Sequence, residues 1–324
     1  MHKKLALSTI FICISMALCA CGEQTPSVPV PSSSTVADAS DKIQTNETAT
    51  SVGTRDNTPR CLVPNNSGTN IIGNEAVDIN ISNVADGYIC VTYKGDASRT
   101  RIILTNPQGL SYTYDLYKDV CDAFPLTGES GTYNVGIYEQ ISGNDYSILF
   151  NEDFTASNVN EYSPYLYPNQ YVKFDESTKA IALASELSTP ANSDLDVVTN
   201  VYNYVISNIT YDYDKADSVE STYVPVVDDT LATGKGICFD FASLMASMLR
   251  SQGIPTRLEI GYAGDVYHAW ISTYIKDVGW VNGIIEFDGL NWELMDPTFA
   301  TTTSEKKLKN YIGEGDNYVT KFMY

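Results

Sequence analysis

Residues 234–255 read GKGICFDFASLMASMLRSQGIP. Phe241, Leu244, Met245, Met248 and Leu249 recur three or four residues apart, so the spacing predicts an amphipathic helix. It opens at Cys238, directly after Gly234-Lys235-Gly236-Ile237, and stops at Gly253, with Pro255 just beyond. A cysteine at a helix N-terminus meets unsatisfied backbone N–H groups and the positive end of the helix dipole, and both favour thiolate over thiol. The glycines allow a sharp entry and a close approach by a substrate backbone. The N–H of Cys238 itself is placed to donate to a developing oxyanion. On these local grounds a nucleophile and a buried structural thiol are equally compatible with Cys238.

On the N-terminal side, residues 176–187 (ESTKAIALASEL) and 194–209 (DLDVVTNVYNYVISNI) also carry apolar residues at helical spacing. In the second run these are Val197, Val198, Val201, Tyr204 and Val205, with Asp194 as the expected N-cap. On the C-terminal side, TRLEIGYA (256–263), YHAWISTYI (267–275) and NWELMDPTF (291–299) read as strands. Helices followed by a run of antiparallel strands indicate an α+β domain over residues 160–324.

Further upstream the period changes. VDINIS (77–82), YICVTY (88–93), RIILT (101–105), YTYDLY (112–117), YNVGIY (133–138) and YSILF (146–150) are short and rich in β-branched and aromatic residues. Turn residues such as Asn106-Pro107-Gln108-Gly109 separate them, and another strand fits near Val120–Phe124. Residues 61–155 are therefore expected to form an immunoglobulin-like β-sandwich preceding the α+β domain. The stretch holds no histidine and no tryptophan, which points to a binding or spacer role.

The N-terminus reads as export machinery. Lys3 and Lys4 precede an apolar run from Leu5 to Leu18, in the pattern of a signal peptide over residues 1–20. The run is too short for a membrane span, which needs about 20 apolar residues. Leu18-Cys19-Ala20-Cys21 resembles a bacterial lipobox, which implies cleavage before Cys21 and its lipidation. Residues 21–60 are rich in Ser, Thr, Pro and Asn and read as a flexible tether. The expected location is the extracellular face of the bacterial membrane, with membrane contact only through the lipid at Cys21. An extracellular setting also permits disulfides, and Cys61, Cys90 and Cys121 offer three alternative pairings.

Composition excludes several classes of function. With 40 Asp+Glu against 20 Lys+Arg, a net charge of −20 argues against nucleic acid as a partner. The content of 43% hydrophobic residues is too high for a disordered acidic chain. Only two histidines occur, and His2 leaves with the signal peptide. Multi-histidine metal sites are thereby excluded, no metal or other cofactor is expected, and any imidazole chemistry must run through His268. The acidic stretch from Asp212 to Glu220 lacks the glycine and spacing of an EF-hand loop and reads as a solvated loop. Asp296, at the end of the last strand-like run, is a carboxylate able to orient an imidazole.

Four stretches occur in an order that resembles the transglutaminase-like superfamily, whose core is papain-like. They are Gly236-Ile237-Cys238-Phe239-Asp240-Phe241-Ala242, the run from Leu249 to Arg257, Tyr267-His268-Ala269-Trp270, and Leu294-Met295-Asp296-Pro297-Thr298. Ile209-Thr210-Tyr211-Asp212 is similar to that family's approach to its nucleophile helix. The resemblance implies a Cys238–His268–Asp296 triad: nucleophile, base and later acid, and orienting group. It implies thiol acyl transfer on a peptide or carboxamide, with cell-wall peptide among the substrates that fit an enzyme at the cell surface. A cysteine peptidase or amidase is the expectation. A cross-linking transglutaminase using an amine acceptor, or a surface binding module with a retained triad, are the alternatives. Residues 231–237 contain no Gln to serve as second oxyanion donor, so Tyr211 is the candidate, with a core aromatic as its other reading. Tyr267, Trp270 and Trp292 are the candidate substrate-binding residues.

Overall fold

The computed structural model describes residues 52–220, 222–263, 265–282, 286–287, 292–293 and 318–324. Eight strands come first: β1 (Ile71–Asn74), β2 (Val77–Asn80), β3 (Tyr88–Tyr93), β4 (Thr100–Thr105), β5 (Ser111–Leu116), β6 (Cys121–Pro125), β7 (Gly131–Ser142) and β8 (Asp145–Ala156). They form two four-stranded antiparallel sheets, ordered β1-β2-β3-β6 and β5-β4-β7-β8. The alternation that marks these strands in sequence is the alternation of burial. In β4, Thr100, Ile102 and Leu104 point inward while Arg101, Ile103 and Thr105 are half-exposed. In β5, Tyr112, Tyr114 and Leu116 are buried. The ring of Tyr114 meets Phe124 of β6 at 5.0 Å, which ties one sheet to the other. The strand expected near Val120–Phe124 is β6. The short, largely exposed β1 carries too little apolar pattern to have been read.

The helical part comprises α1 (Lys179–Ser188), α2 (Asp194–Asn208), β9 (Thr210–Tyr211), α3 (Tyr213–Ser218), α4 (Val227–Thr233), β10 (Lys235–Gly236) and α5 (Cys238–Ser251). Two boundaries differ from the sequence reading for local reasons. Residues 175–178 turn on themselves, because the Asp175 carboxylate accepts from Ser177 N–H at 2.8 Å, so α1 starts at Lys179. Its first amides are capped from a distance by Asp228, at 3.0 and 3.1 Å. In α2 the cap is Ser193 rather than Asp194. The Ser193 hydroxyl accepts from Asp196 N–H at 3.2 Å, and the Asp196 carboxylate accepts from Ser193 N–H at 3.0 Å. The acidic stretch read as a solvated loop contains α3, with Asp212 as its N-cap.

Helix α5 is buried further round than one apolar stripe predicts: every residue from Asp240 to Ser251 is buried. It packs against α1, α2 and α4, and against two strands of a third sheet. Ala242, Ser243, Ala246 and Ser247 are small enough to let those neighbours close on every side.

The third sheet contains β11 (Thr256–Ala263), β12 (Val266–Ile275), β13 (Gly279–Asn282) and β16 (Tyr318–Met323), in the antiparallel order β13-β12-β11-β16. β14 (Glu286–Phe287) and β15 (Trp292–Glu293) pair separately. The strand expected at 291–299 is thus described only at Trp292–Glu293; the rest lies outside the described residues. β16, not read from the sequence, is locked to β11 by reciprocal backbone bonds between Leu258 and Tyr324, at 3.0 and 2.8 Å.

Ala49–Tyr324 make up one compact unit. Within it, aromatic contacts join the upstream sheets to the third sheet. Tyr112 of β5 meets Phe322 and Tyr324, each at 5.6 Å. Residues 52–60, at the end of the stretch expected to be a tether, lie along the helices. Gly53 N–H donates to Thr189 O at 2.8 Å, Arg60 N–H to Ser251 O at 2.6 Å, and Arg55 Nε to Asp194 at 2.7 Å. Among the described residues no helix is long and apolar enough to cross a membrane. The expected signal peptide and Cys21 lie outside the described residues.

Candidate active site

The approach to Cys238 is built by two short parallel strands. β9 and β10 pair Tyr211 with Gly236 and Thr210 with Lys235. Gly234 ends α4 in the left-handed region (φ 62°), which a glycine adopts without strain. Gly236 must be a glycine for another reason: a Cβ there would stand 2.7 Å from the Asp240 Cβ. The chain then enters α5 with Cys238 as its first helical residue.

The half-buried Cys238 thiol lies near the backbone N–H groups of Ala269, Phe239 and its own residue, all of which favour thiolate. Burial outweighs them and pushes the thiol above its ordinary value. The backbone groups at the helix N-terminus act in the direction expected from the sequence, but burial is the larger influence. The nearness of Ala269 brings the thiol to the strand that carries His268. Ala269 follows His268 on β12, where the register sets Ile260 opposite Ala269 and Gly261 opposite His268. His268, Ala269 and Cys238 all line one cleft of about 800 Å³.

Tyr211 lines the same cleft, with its hydroxyl near the N–H of Cys238. Burial, and then the nearby Cys238, hold this hydroxyl above its ordinary pKa, so it keeps its proton. Tyr267 is also at the cleft; it is 59% exposed, with its ring 5.4 Å from that of Tyr262. Trp270 is different. It is 3% exposed and packs against Tyr318 at 5.0 Å, so it is a core residue rather than part of the cleft lining. Two residues beyond His268 on β12, its ring reaches Tyr318 of β16, two strands over in the same sheet. Asp296 and the side chain of Trp292 lie outside the described residues.

A buried ionic cluster next to Cys238 carries no mark in the sequence reading. The Asp240 carboxylate, fully buried, accepts from Ile237 N–H at 2.8 Å, from Lys215 Nζ at 2.7 Å, and from the Tyr223 hydroxyl. Lys215 also donates to the Tyr223 oxygen at 2.6 Å. Burial and then the carboxylate push the Tyr223 hydroxyl up to about 12. Burial works against the charge on Lys215, but its bonds to Asp240 and Tyr223 hold its pKa above the ordinary value. A carboxylate at the third position of a helix is a capping signal, and Cys238-Phe239-Asp240 carries it in plain view.

The opposite wall of the cleft comes from the upstream sheet: Arg101 of β4 and Thr113 and Asp115 of β5. Among the described residues no three His, Cys, Asp or Glu side chains converge as metal ligands. Cys61, Cys90 and Cys121 are free thiols, with Cys90 and Cys121 on neighbouring strands of one sheet.

The model of the transglutaminase-like superfamily matches residues 181–283, which include Tyr211, Cys238 and His268 and end before Asp296. The uncharacterised protein YebA of Bacillus subtilis is 28% identical over 138 residues, 36% of this chain and 19% of YebA. The UPF0252 protein MJ1282 of Methanocaldococcus jannaschii is 28% identical over 145 residues, 39% of this chain and 41% of that protein. The chain thus spans less than half the length of either curated relative. Among solved structures, a candidate cysteine protease from Cytophaga hutchinsonii aligns at 15% identity and a TM-score of 0.36, over 79% of this chain and 74% of that one. A candidate protease from Parabacteroides distasonis aligns at 10% identity and a TM-score of 0.27, over 58% and 61%.

Proposed function

From a chain that carries a transglutaminase-like domain at residues 181–283, we infer a thiol enzyme that cleaves peptide or carboxamide bonds. The observation that carries this reading is the contact of the Cys238 thiol with the N–H of Ala269, the residue after the chain's second histidine, in an open cleft. The thiol is held as a poor acid by burial, so its proton must pass to a neighbouring base, His268. Cys238 Sγ then attacks the carbonyl carbon, and His268 returns the proton to the leaving amine. A thioester and a free amine result. Water, deprotonated by His268, opens the thioester to an acid and regenerates the thiol. Asp296 orients the imidazole. The Cys238 N–H and the Tyr211 hydroxyl stabilise the oxyanion.

Hydrolysis is preferred to amine transfer because the cleft opens to solvent at Tyr267, which is 59% exposed, so water reaches the thioester. The strand orders β1-β2-β3-β6 and β5-β4-β7-β8 support an immunoglobulin-like sandwich upstream. Lipidation at Cys21 would hold the enzyme at the outer face of the membrane, next to peptide substrates of the cell surface. Membrane fractionation of the parent and of Cys21→Ser tests this placement; a variant that stays with the membrane excludes the anchor.

The activity is tested with a peptide library, with and without a labelled primary amine. Cleavage lost in Cys238→Ala and in His268→Ala is expected. Label incorporation exceeding hydrolysis would reassign the protein as a transferase, and no turnover under either condition would remove the enzyme reading.

A further inference from the structure

The carboxylate of Asp240 lies one helical turn or less from the nucleophile and carries no exposed surface. A buried negative charge opposes formation of a thiolate beside it, and Asp240 is one of the influences that push the Cys238 thiol up, after burial itself. Two side chains from outside α5 answer that charge: Lys215 from α3 and Tyr223 from the segment after it. We propose that Lys215 and Tyr223 are positioning residues for catalysis, holding the Asp240 carboxylate compensated so that its charge does not oppose the Cys238 thiolate.

The geometry fits this role in detail. Lys215 Nζ is within 2.7 Å of Asp240 Oδ2 and 2.6 Å of Tyr223 Oη, and lies 4.3 Å from the centre of the Tyr223 ring. Asp240 Oδ2 also accepts the N–H of Ile237, so the compensated carboxylate fixes the residue directly before the nucleophile. Tyr223 reaches the cleft itself, as do Val219 and Glu220, so the same cluster fastens one cleft wall to the nucleophile helix. The other titratable groups facing Cys238 are Tyr211 on β9 and Tyr267 and His268 on β12. Both tyrosines are held neutral by burial first; Arg101, Asp115 and Glu220 line the same cleft, and Asp240 is the carboxylate whose charge acts on the thiol. A unit charge roughly 7 Å away, at an effective dielectric near 20, changes an ionisation equilibrium by about one to two powers of ten.

The inference rests on the reading of Cys238 as nucleophile, and its test needs no amide substrate. The rate of iodoacetamide labelling at Cys238 is followed by peptide mass spectrometry across a pH series in the full chain. Lys215→Met, which keeps an apolar stem, is expected to move the labelling profile up by about one pH unit, slowing labelling about tenfold on its acid side. Tyr223→Phe should move it the same way by less. Asp240→Asn alone should not slow labelling, and the double variant Lys215→Met/Asp240→Asn should return the profile to within about twofold of the parent. A purely structural role predicts the opposite for the double variant, which loses both partners and should label worse. An unmoved profile in Lys215→Met, or a double variant that is not restored, overturns the proposal. If Lys215→Met does not fold, Tyr223→Phe carries the prediction, and its unmoved profile overturns it equally. A chain that turns over no amide yet shows the shift refutes the enzyme reading, and with it the catalytic role of Lys215 and Tyr223, while their compensation of Asp240 beside the thiol stands. Normal turnover without the shift does the reverse.

Discussion

Arg250 offers the sharpest test of how the fold holds its site. The side chain is fully buried near the end of α5, and all three of its bonds go to main-chain oxygens rather than to a side-chain carboxylate. Nε donates to Thr256 O at 2.9 Å, Nη1 to Tyr167 O at 2.7 Å, and Nη2 to Tyr324 O at 2.6 Å. One guanidinium thereby joins the central helix to the start of β11, to the segment before α1, and to the residue after β16. Burial pulls its pKa down to about 9, the mark of a charge kept from water. In Arg250→Met the length is kept and the bonds are lost. A bond from a charged donor contributes about 1.5–3 kcal/mol, so three amount to roughly 4–9 kcal/mol. Two effects reduce the loss: the variant no longer buries a charge, and Tyr324 O keeps the N–H of Leu258 at 3.0 Å. A net loss of about 3–5 kcal/mol is expected, a large share of the ~5–15 kcal/mol by which domains are stable. Urea unfolding followed by tryptophan fluorescence measures it. Arg250→Lys should recover little, because an ammonium cannot span three diverging main-chain oxygens. Cys238 lies twelve residues away along the helix, about 18 Å, so its labelling under folding conditions should not change. A loss below about 1 kcal/mol in Arg250→Met would refute the reasoning.

Three further outcomes are expected. Without an imidazole, the Cys238 thiol keeps the raised pKa that burial gives it, so labelling of His268→Ala should grow only as pH rises above about 9, the ordinary value; rapid labelling near neutrality in that variant would count against His268 as the base. Removing residues 52–60 should cost about 2–3 kcal/mol in urea unfolding, because it breaks the half-buried Arg55–Asp194 pair and backbone bonds to Thr189 and Ser251; a pure tether would cost nothing. Oxidised glutathione should join Cys90 and Cys121, each bond formed reducing one glutathione disulfide to two thiols, while Cys61 stays open to alkylation. The Cys90 thiol beside it lowers Cys121 to about 7, so the reaction should accelerate as pH rises through that value; peptide mapping that finds Cys61 in the bridge would exclude the pairing.

What the sequence discloses follows the range of each physical cause. Alternation along β4 and β5 is a property of six residues, and the stripe of α5 of fourteen, so both are visible in a short window. The pairing of β16 with β11 joins Glu259 to Met323, and no local pattern marks that partner. The Lys215–Asp240 pair spans a similar gap on a smaller scale: a lysine in an acidic stretch reads as one more solvated charge until α3 is laid against α5. Residues 52–60 are polar, and polar composition describes a flexible chain equally well as a strap whose bonds are made by backbone and by Arg55. Trp270 shows the converse. An aromatic two residues from His268 suggests a groove, and period 2 sends the two side chains to one face, but there the Trp270 ring is buried against Tyr318 of β16.

The cleft has a further consequence for how such a protein chooses its substrate. Tyr211, Cys238 and His268 all fall within the stretch matched to the superfamily, whereas Arg101, Thr113 and Asp115 on the facing wall fall far upstream of it. The Arg101 Nε lies 3.6 Å from Asp115 Oδ1, and its guanidinium rests 5.0 Å from the Tyr146 ring, so the wall carries its own charge pattern on a rigid sheet. On the proposed function, the bond-breaking groups and the surface that would meet the rest of the substrate come from different parts of the chain. A substitution on the wall, such as Arg101→Ala, should alter KM between substrates of different charge while leaving kcat nearly constant, since it touches none of the groups that handle the proton or the acyl carbon. A uniform fall in kcat across neutral, acidic and basic peptides would mean instead that the wall acts on the nucleophile, and the division of labour between the two parts would have to be abandoned.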